Sequence, residues 1–247
     1  MKFYRHLTEI KAISFDLDDT LYSNKPVMQA IEQKMIAYFS ALPILNNIMP
    51  AQQNFLDVHF WSNFRHQAIL KQPDLAHDVV QVRLVSYQLG FISLGLAEDI
   101  AQQQAQAALD YFIELRSDFT VPEQSKKLLA NLSEKYILIA ISNGNVDTKA
   151  LGISQHFRYI YHAGWQMDGS LLKQKPASDM FTLACHELAI KPSQLLHVGD
   201  CGRSDIQGAL RAGCQTAWLS CYDVGMPLTV LPHIEITNVN QLRLLFE

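Results

Sequence analysis

Ile13-Ser14-Phe15-Asp16-Leu17-Asp18-Asp19-Thr20-Leu21 is a short apolar run that ends in two aspartates spaced i, i+2. Alternate residues of an extended segment point the same way. Asp16 and Asp18 therefore face one pocket while Leu17 faces the core. At an effective dielectric near 20, two unit charges about 4 Å apart repel by about 4 kcal/mol. A cation, or a proton on one carboxyl, must relieve this. Both remedies suit phosphoryl transfer, which needs a metal, a nucleophilic carboxylate and a carboxyl able to hold a proton.

The chain around this segment has 247 residues, 49% hydrophobic and 18% charged. That is enough for a large domain, or for a core with a smaller insert, and too apolar for disorder. A formal net charge of −4 argues against a nucleic-acid or anionic-membrane surface. No apolar run reaches the ~18 residues of a membrane span. Met1 to Lys11 carries scattered charges and no apolar signal core, so a cytoplasmic address is expected. Cys185, Cys201, Cys214 and Cys221 form no Cys-x-x-Cys pair and no zinc pattern, and read as reduced thiols.

Ala12–Phe15 reads as the first strand. From Pro26 to Arg116 the pattern is helical. Met28, Ile31, Met35, Ile36 and Phe39 repeat at helical spacing after Pro26. Phe55, Phe60, Trp61 and Phe64 crowd a second helix. Val79, Val82, Leu84, Val85 and Leu89 mark a third, closed by Gly90. Ala97 to Leu115 suits a fourth. The aromatic residues here read as bundle core. After Pro122 a helix to Ser133 leads into Tyr136–Ser142, apolar on both faces like a strand buried in a parallel sheet. Tyr159–His162, Leu195–Val198, Gln215–Ser220 and Ile234–Ile236 read as further strands. Helices are expected near Ser178–Leu188, Ser204–Ala212 and Val239–Phe246. The alternation indicates an α/β core with a central parallel sheet, interrupted after its first strand by a helical module.

Three clusters stand where strands of this core should end, the edge at which such sheets build their sites. Asp16 and Asp18 end the first strand. Ser142-Asn143-Gly144-Asn145 ends the second. Gly199-Asp200, then Asp205, follow Leu195–Val198. A fourth cluster, Lys175-Pro176, precedes a helix. Each has a plainer reading alone. Asn143-Gly144 is strong turn chemistry, Gly199-Asp200 suits a strand-to-helix loop, and Asp205 suits a helix N-terminus. Lys175 alone is a solvated lysine, and Asp19 a local hydrogen-bonding group. All four on one sheet edge favour a site.

In the order D-x-D-x-T, S-N-G, K-P and G-D-x-x-x-x-D, this collection resembles the haloacid dehalogenase-like phosphohydrolases over nearly the whole chain. The resemblance implies a Rossmann-like three-layer core, residues 1–22 and 118–247, and an inserted helical, four-helix-bundle-like cap, residues 23–117. It implies Asp16 as nucleophile and Asp18 as general acid/base. Ser142 and Asn143 would hold the phosphoryl group, and Lys175 would neutralise nucleophile and phosphate. Mg2+ would sit on Asp16, Asp200 and the Asp18 carbonyl oxygen, with Thr20 in support and Asp205 either supporting the metal or pairing with Lys175; hard oxygen ligands suit that ion. The substrate implied is a small-molecule phosphate ester. One departure is Leu172, where the family often has glycine three residues before the motif lysine, which leaves Lys173 as an alternative to Lys175.

Met1–Arg5, the run Ala12–Tyr22, His77-Asp78-Val79 with Arg83, and Ser178-Asp179-Met180 look like a bacterial subgroup of that family. That subgroup is associated with 5-amino-6-(5-phospho-D-ribitylamino)uracil, a riboflavin precursor, with side activity on FMN and small sugar phosphates. Trp61, Arg65, Arg83 and Tyr87 are candidates to line the cap's inner face, or else packing and surface residues. Rival readings are a 2-haloacid dehalogenase, which needs neither metal nor a second acid, a phosphomutase, which needs Asp18 too, and a non-catalytic binding protein. The last gives no reason to gather four like charges.

Overall fold

The computed structural model describes residues 1–46, 56–167, 169–221 and 225–245. Two expected helix members, Phe55 and Phe246, lie outside them. The chain divides into two compact units: Met1–Asn24 with Phe119–Glu247, and Lys25–Asp118.

The first unit is built on a seven-stranded sheet. Its strands are β1 (Lys2–Phe3), β2 (Ala12–Phe15), β3 (Ile137–Ser142), β4 (Tyr159–His162), β7 (Leu195–Gly199), β8 (Gln215–Leu219) and β9 (Ile234–Ile236). A separate hairpin joins β5 (Gln166–Met167) and β6 (Ser170–Leu171). The order is β1-β9-β8-β7-β2-β3-β4, parallel throughout except for the edge strand β1 against β9. The central strands β2, β3 and β7 are buried on both faces, which is why they read as unbroken apolar runs.

Alternation sorts their side chains into two layers. Ile13, Phe15, Leu138, Ala140, Leu196 and Val198 pack with Leu128, Leu129 and Leu132 of a helix at Glu123–Ser133. On the other face Ala12, Ile139, Ile141 and Leu195 meet Met180, Phe181 and Ala184 of a helix at Asp179–Glu187. Burying one such large side chain is worth about 1.5–3 kcal/mol. The core is thus a three-layer α/β fold with a mostly parallel sheet. β2 pairs with β3 on one side and β7 on the other, in parallel register through Phe15↔Ala140 and Phe15↔Val198. From β2 the chain builds outward through β3 and β4, then crosses back to add β7, β8 and β9 on the other side, so the strand order reverses beside β2 and a crevice opens at the carboxyl ends there.

In chain order the helices are α1 (Asn24–Ser40), α2 (Pro43–Asn46), α3 (Val58–Lys71), α4 (Val79–Ser93), α5 (Glu98–Arg116), α6 (Glu123–Ser133), α7 (Asp179–Glu187) and α8 (Gly208–Arg211). The second unit holds α1 to α5. Asp57 caps α3 by accepting from His59 N–H and Phe60 N–H, and Asp78 caps α4 by accepting from Val80 N–H and Gln81 N–H. Phe39, Trp61, Tyr87, Phe91 and Phe112 are buried together. Trp61 lies 4.5 Å from Phe39, 5.0 Å from Tyr87 and 5.3 Å from Phe91, ring centre to ring centre.

Two expectations need correction. The helix expected to close at Gly90 runs on to Ser93, and Gly95, at φ 95°, is the residue past its end. Gly90 serves packing instead. A Cβ there would stand 2.3 Å from the Trp61 ring, so only a glycine lets the indole lie against α4. The helix expected at Ser204–Ala212 starts earlier, with a π-type turn over Gly202–Gln207 before α8. Gly90→Ala is expected to destabilise the protein by about 1–3 kcal/mol through overpacking against Trp61, read as a lowered thermal midpoint. An unchanged midpoint would show that the ring moves aside freely.

Candidate active site

Four chain segments converge at the carboxyl ends of β2, β3 and β7. A pocket there is lined by Asp16, Asp18, Ser142, Asn143, Lys175, Asp200 and Asp205, together with Asp19, Gly144, Cys201, Ser204 and Gly225. Asp16 follows β2, and its N–H donates to Val198 O at 2.9 Å, which continues the ladder to the site's edge. Asp18 accepts from the Tyr22 hydroxyl at 2.8 Å. Asp19 turns the chain at φ 55° and accepts from Asn24 N–H at 2.8 Å. A left-handed backbone is tolerated there because a short acidic side chain can bond locally.

Lys175 is the centre of the arrangement. Its side chain is 1% exposed. Nζ donates to Asp16 Oδ1, to Asp205 Oδ1 and to Ile141 O, each at 2.7 Å. An ammonium has three protons, and all three are engaged. Burial works to lower the lysine's pKa, but Asp16 and Asp205 outweigh it and hold the ammonium charged. Lys173, the alternative in the sequence, is exposed. Leu172 is buried in the core face that holds α7.

Asn143 has a role that its motif did not disclose. Its Oδ1 accepts from Lys175 N–H at 2.7 Å and its Nδ2 donates to Lys175 O at 3.0 Å. The side-chain amide thus clamps the lysine's backbone. Ser142 Oγ accepts from Gly144 N–H at 3.0 Å, which shapes the turn.

Behind Lys175 a buried polar chain runs into the sheet. Ser14 and His197 are register partners on β2 and β7, with 2.8 Å between Ser14 Oγ and His197 Nδ1. His197 Nε2 lies 3.2 Å from Asp205 Oδ1. Burial lowers the histidine's pKa, so the imidazole is neutral. The carboxylate can only accept, so Nε2 carries the proton and Nδ1 accepts from the serine. Asp205 Oδ2 accepts from Cys201 N–H at 2.9 Å. Burial pushes the Asp205 carboxyl up, but Lys175 and His197 bring its pKa below the ordinary range. A Cβ at residue 199 would stand 2.3 Å from Asp205 Cγ, so Gly199 is what admits this carboxylate.

Asp200 is held differently. Thr20 Oγ1 lies 3.5 Å from its Oδ1, and Trp218 Nε1 donates to its backbone oxygen at 2.6 Å. Burial, then the charges of Asp16 and Asp205, raise its pKa to about 9. Burial raises Asp16 to about 7 against the pull of Lys175. Oxygens of Asp16, Asp200 and Asp205 all lie within 4.8 Å of one another. One ammonium does not balance three carboxylates. The excess negative charge suits a small divalent cation with hard oxygen ligands. Both Asp205 oxygens are bonded to protein donors, so Asp16 and Asp200 are the carboxylates that fit such an ion.

A carboxylate at the edge of a Rossmann-like sheet, gripped by a buried lysine beside a second acidic group, is equipment for nucleophilic hydrolysis. Residues 10–213 match the haloacid dehalogenase-like hydrolase family, and the chain belongs to it. It is 34% identical over 246 residues to 5-amino-6-(5-phospho-D-ribitylamino)uracil phosphatase YigB of Escherichia coli (strain K12), covering 98% of each chain. It is 30% identical over 131 residues to N-acylneuraminate-9-phosphatase of Rattus norvegicus, covering 52% of each. Its fold matches the crystal structure of a 2-haloacid dehalogenase from Pseudomonas syringae pv. Tomato DC3000 with TM-score 0.82 and 26% identity, over 95% of this chain and 96% of that one.

Ser14, Tyr22, His197 and Trp218 escaped the motif reading. A polar residue inside an otherwise apolar buried strand was the available signal for Ser14 and His197. His197→Phe removes the donor to Asp205 and is expected to cost about 1–3 kcal/mol in chemical denaturation. His197→Gln restores a donor there and is expected to recover at least half of that loss. Equal losses in both variants would contradict the assigned hydrogen bond.

Proposed function

We propose that the chain is a magnesium-dependent phosphatase of small-molecule phosphomonoesters, acting in the cytoplasm, with 5-amino-6-(5-phospho-D-ribitylamino)uracil and FMN as the first substrates to test. The single observation that carries this reading is the Lys175–Asp16–Asp18 geometry. A buried ammonium grips one aspartate at 2.7 Å, and a second aspartate two residues on lines the same pocket. The YigB relative supports the substrate choice.

Asp16 attacks phosphorus in line and forms an aspartyl-phosphate as the ester P–O bond breaks. Asp18 gives its proton to the departing alkoxide. It then takes a proton from the water that attacks the acyl-phosphate, and inorganic phosphate leaves. Lys175, the Ser142 hydroxyl and the backbone N–H of Asn143 bear the charge on the phosphoryl oxygens. Asp16, Asp200 and the Asp18 backbone oxygen would hold Mg2+, which supplies positive charge to the phosphoryl group. Thr20 and Asp205 keep Asp200 and Lys175 in place.

The likeness to a 2-haloacid dehalogenase favours a second reading, in which Asp16 attacks carbon. Asp18 has no task in that reaction. A phosphate-release screen with magnesium, run beside a chloropropionate assay for chloride, separates the two. Turnover without a bisphosphate activator excludes a phosphomutase. Phosphate release is expected, and Asp16→Asn is expected to cut it at least a hundredfold while the fold survives. Chloride release alone would overturn the phosphatase reading.

The acidic cluster also predicts a pH signature. Asp16 at about 7 and Asp200 at about 9 stand above their ordinary 3.8. The folded chain therefore binds more protons than the unfolded chain from about pH 4 upward, and these two groups lower stability as pH rises towards 7 and 9. A divalent ion competes with those protons. At fixed magnesium concentration the gain in thermal midpoint is expected to grow from pH 6 to pH 9. A gain that is flat or falls with pH would contradict metal binding at this pair.

A further inference from the structure

Two arginines of the helical unit face each other with no carboxylate between them. Trp61 of α3 meets Tyr87 and Phe91 of α4, and Ala68, farther along α3, clusters with Val82, farther back on α4. The two helices therefore run antiparallel. Arg65 stands one turn beyond Trp61, and Arg83 one turn before Tyr87. Positions 65 and 83 thus oppose each other across the helix pair. Their charges reach each other, because burial and then the positive charge of Arg83 lower the pKa of Arg65. Among the described residues neither guanidinium forms an ion pair. Residues 47–55, which lead towards α3 in the chain, contain no Asp or Glu. Like charges held together without a counter-ion repel, and an anion between them relieves that.

The donors are ready for one. Arg83 is half-buried and fixed, its guanidinium 3.6 Å above the Phe112 ring centre and 3.5 Å from the Tyr87 hydroxyl. The hydroxyl takes one of its five N–H groups. Arg65 is exposed and brings five more. Planar guanidinium forks match the oxygens of a carboxylate or phosphate. Arg83 also forms part of the wall of a cavity of about 190 Å3, where Met28, Ile31, Met35 and Phe39 are among the apolar neighbours. An apolar protein cavity of about 150 Å3 accepts benzene, so this one has room for a six-membered ring. Glu32 and Asp57 reach the same wall, but neither pairs with Arg83, and Asp57 accepts from His59 N–H and Phe60 N–H. A neutral apolar ligand would leave the arginines unbalanced. A bare inorganic anion would leave the cavity unfilled.

We propose that the helical unit binds an organic oxyanion, its carboxylate or phosphate oxygens bridging Arg65 and Arg83 and its apolar body in the cavity beside Arg83. The site stands on the helical unit's own geometry. It goes beyond the phosphatase reading, because it claims binding rather than turnover.

The test is titration of the full chain, labelled with nitrogen-15 at arginine, with benzoate, phenylphosphonate, acetate and chloride at matched ionic strength. The readout is the side-chain Nε–H signals of Arg65 and Arg83. Both signals are expected to shift saturably with benzoate or phenylphosphonate, at least about tenfold more tightly than with acetate, which lacks the ring. Chloride is expected to give no saturation. Tighter binding of benzoate marks a carboxylate ligand, and tighter binding of phenylphosphonate a phosphate-bearing one; both outcomes uphold the site. Arg65→Gln, at an exposed position, is expected to weaken the tighter probe about tenfold as read at Arg83. Arg83→Lys keeps the charge but loses the fork, and is expected to weaken it about tenfold as read at Arg65. No saturation with either ring-bearing probe would overturn the proposal. So would equal affinity for benzoate and acetate, or an affinity unchanged in both variants. No arginine is among the residues lining the catalytic pocket, so these signals report the helical unit, and failure of the phosphate-release screen leaves the result intact.

Discussion

The buried ammonium of Lys175 is the interaction on which the rest of this core depends. Taking a lysine out of water is unfavourable, and a buried ion pair repays that loss only with good geometry and every proton bonded. Here all three protons find oxygens at 2.7 Å, from three separate chain segments. The requirement constrains the fold in return. Ile141 must lie near the end of a strand next to Asp16, so β3 must pair with β2. Asp205 must fold back over a glycine at the end of β7. The lysine loop must hold its register, which Asn143 ensures with two hydrogen bonds to one residue's backbone.

The same ammonium explains how electrostatic work is divided among the aspartates. Asp205 is fully hydrogen-bonded and stays charged, so it acts as the lysine's fixed counter-ion. Asp16 shares the lysine with it, and burial pushes its carboxyl up regardless. Among the described residues the Asp200 carboxyl meets one hydroxyl, that of Thr20, and it is pushed up furthest of the three. The site is therefore poised. One carboxylate is locked, and two are short of positive charge on the side that faces the pocket. That imbalance suits a phosphatase site, because the protein's field is arranged before the substrate's charge has to be met.

The sheet and the acidic residues were legible in the sequence for one reason: both signals are short-range. Apolar runs of four to seven residues mark strands buried on both faces. An i, i+2 pair of aspartates needs no tertiary information to be seen as facing one pocket. What stayed hidden depends on neighbours far along the chain. Gly90 looked like a helix end because its true reason, the Trp61 ring, lies 29 positions earlier. Asn143 reads as a phosphate ligand or a turn residue, and nothing near it in the chain signals that its amide also bonds a backbone 32 positions later. Ser14 and His197 make sense only as register partners. The hairpin of β5 and β6 has two residues per strand, too few for any period to show.

The two units treat buried polar groups in opposite ways, and the contrast carries information. Around Lys175 the core is satisfied from within: lysine, Asp205, His197 and Ser14 form a continuous chain of bonded groups. Such networks rigidify a site, and a missing member is costly. In the helical unit Trp61 is also buried, yet its N–H meets no acceptor among the described residues. Its packing residues are aromatic and glycine, and none of Phe39, Phe91 or Gly90 has a side chain able to accept that bond. A helical bundle needs no tryptophan for bulk alone, because phenylalanine fills apolar space without a donor to satisfy.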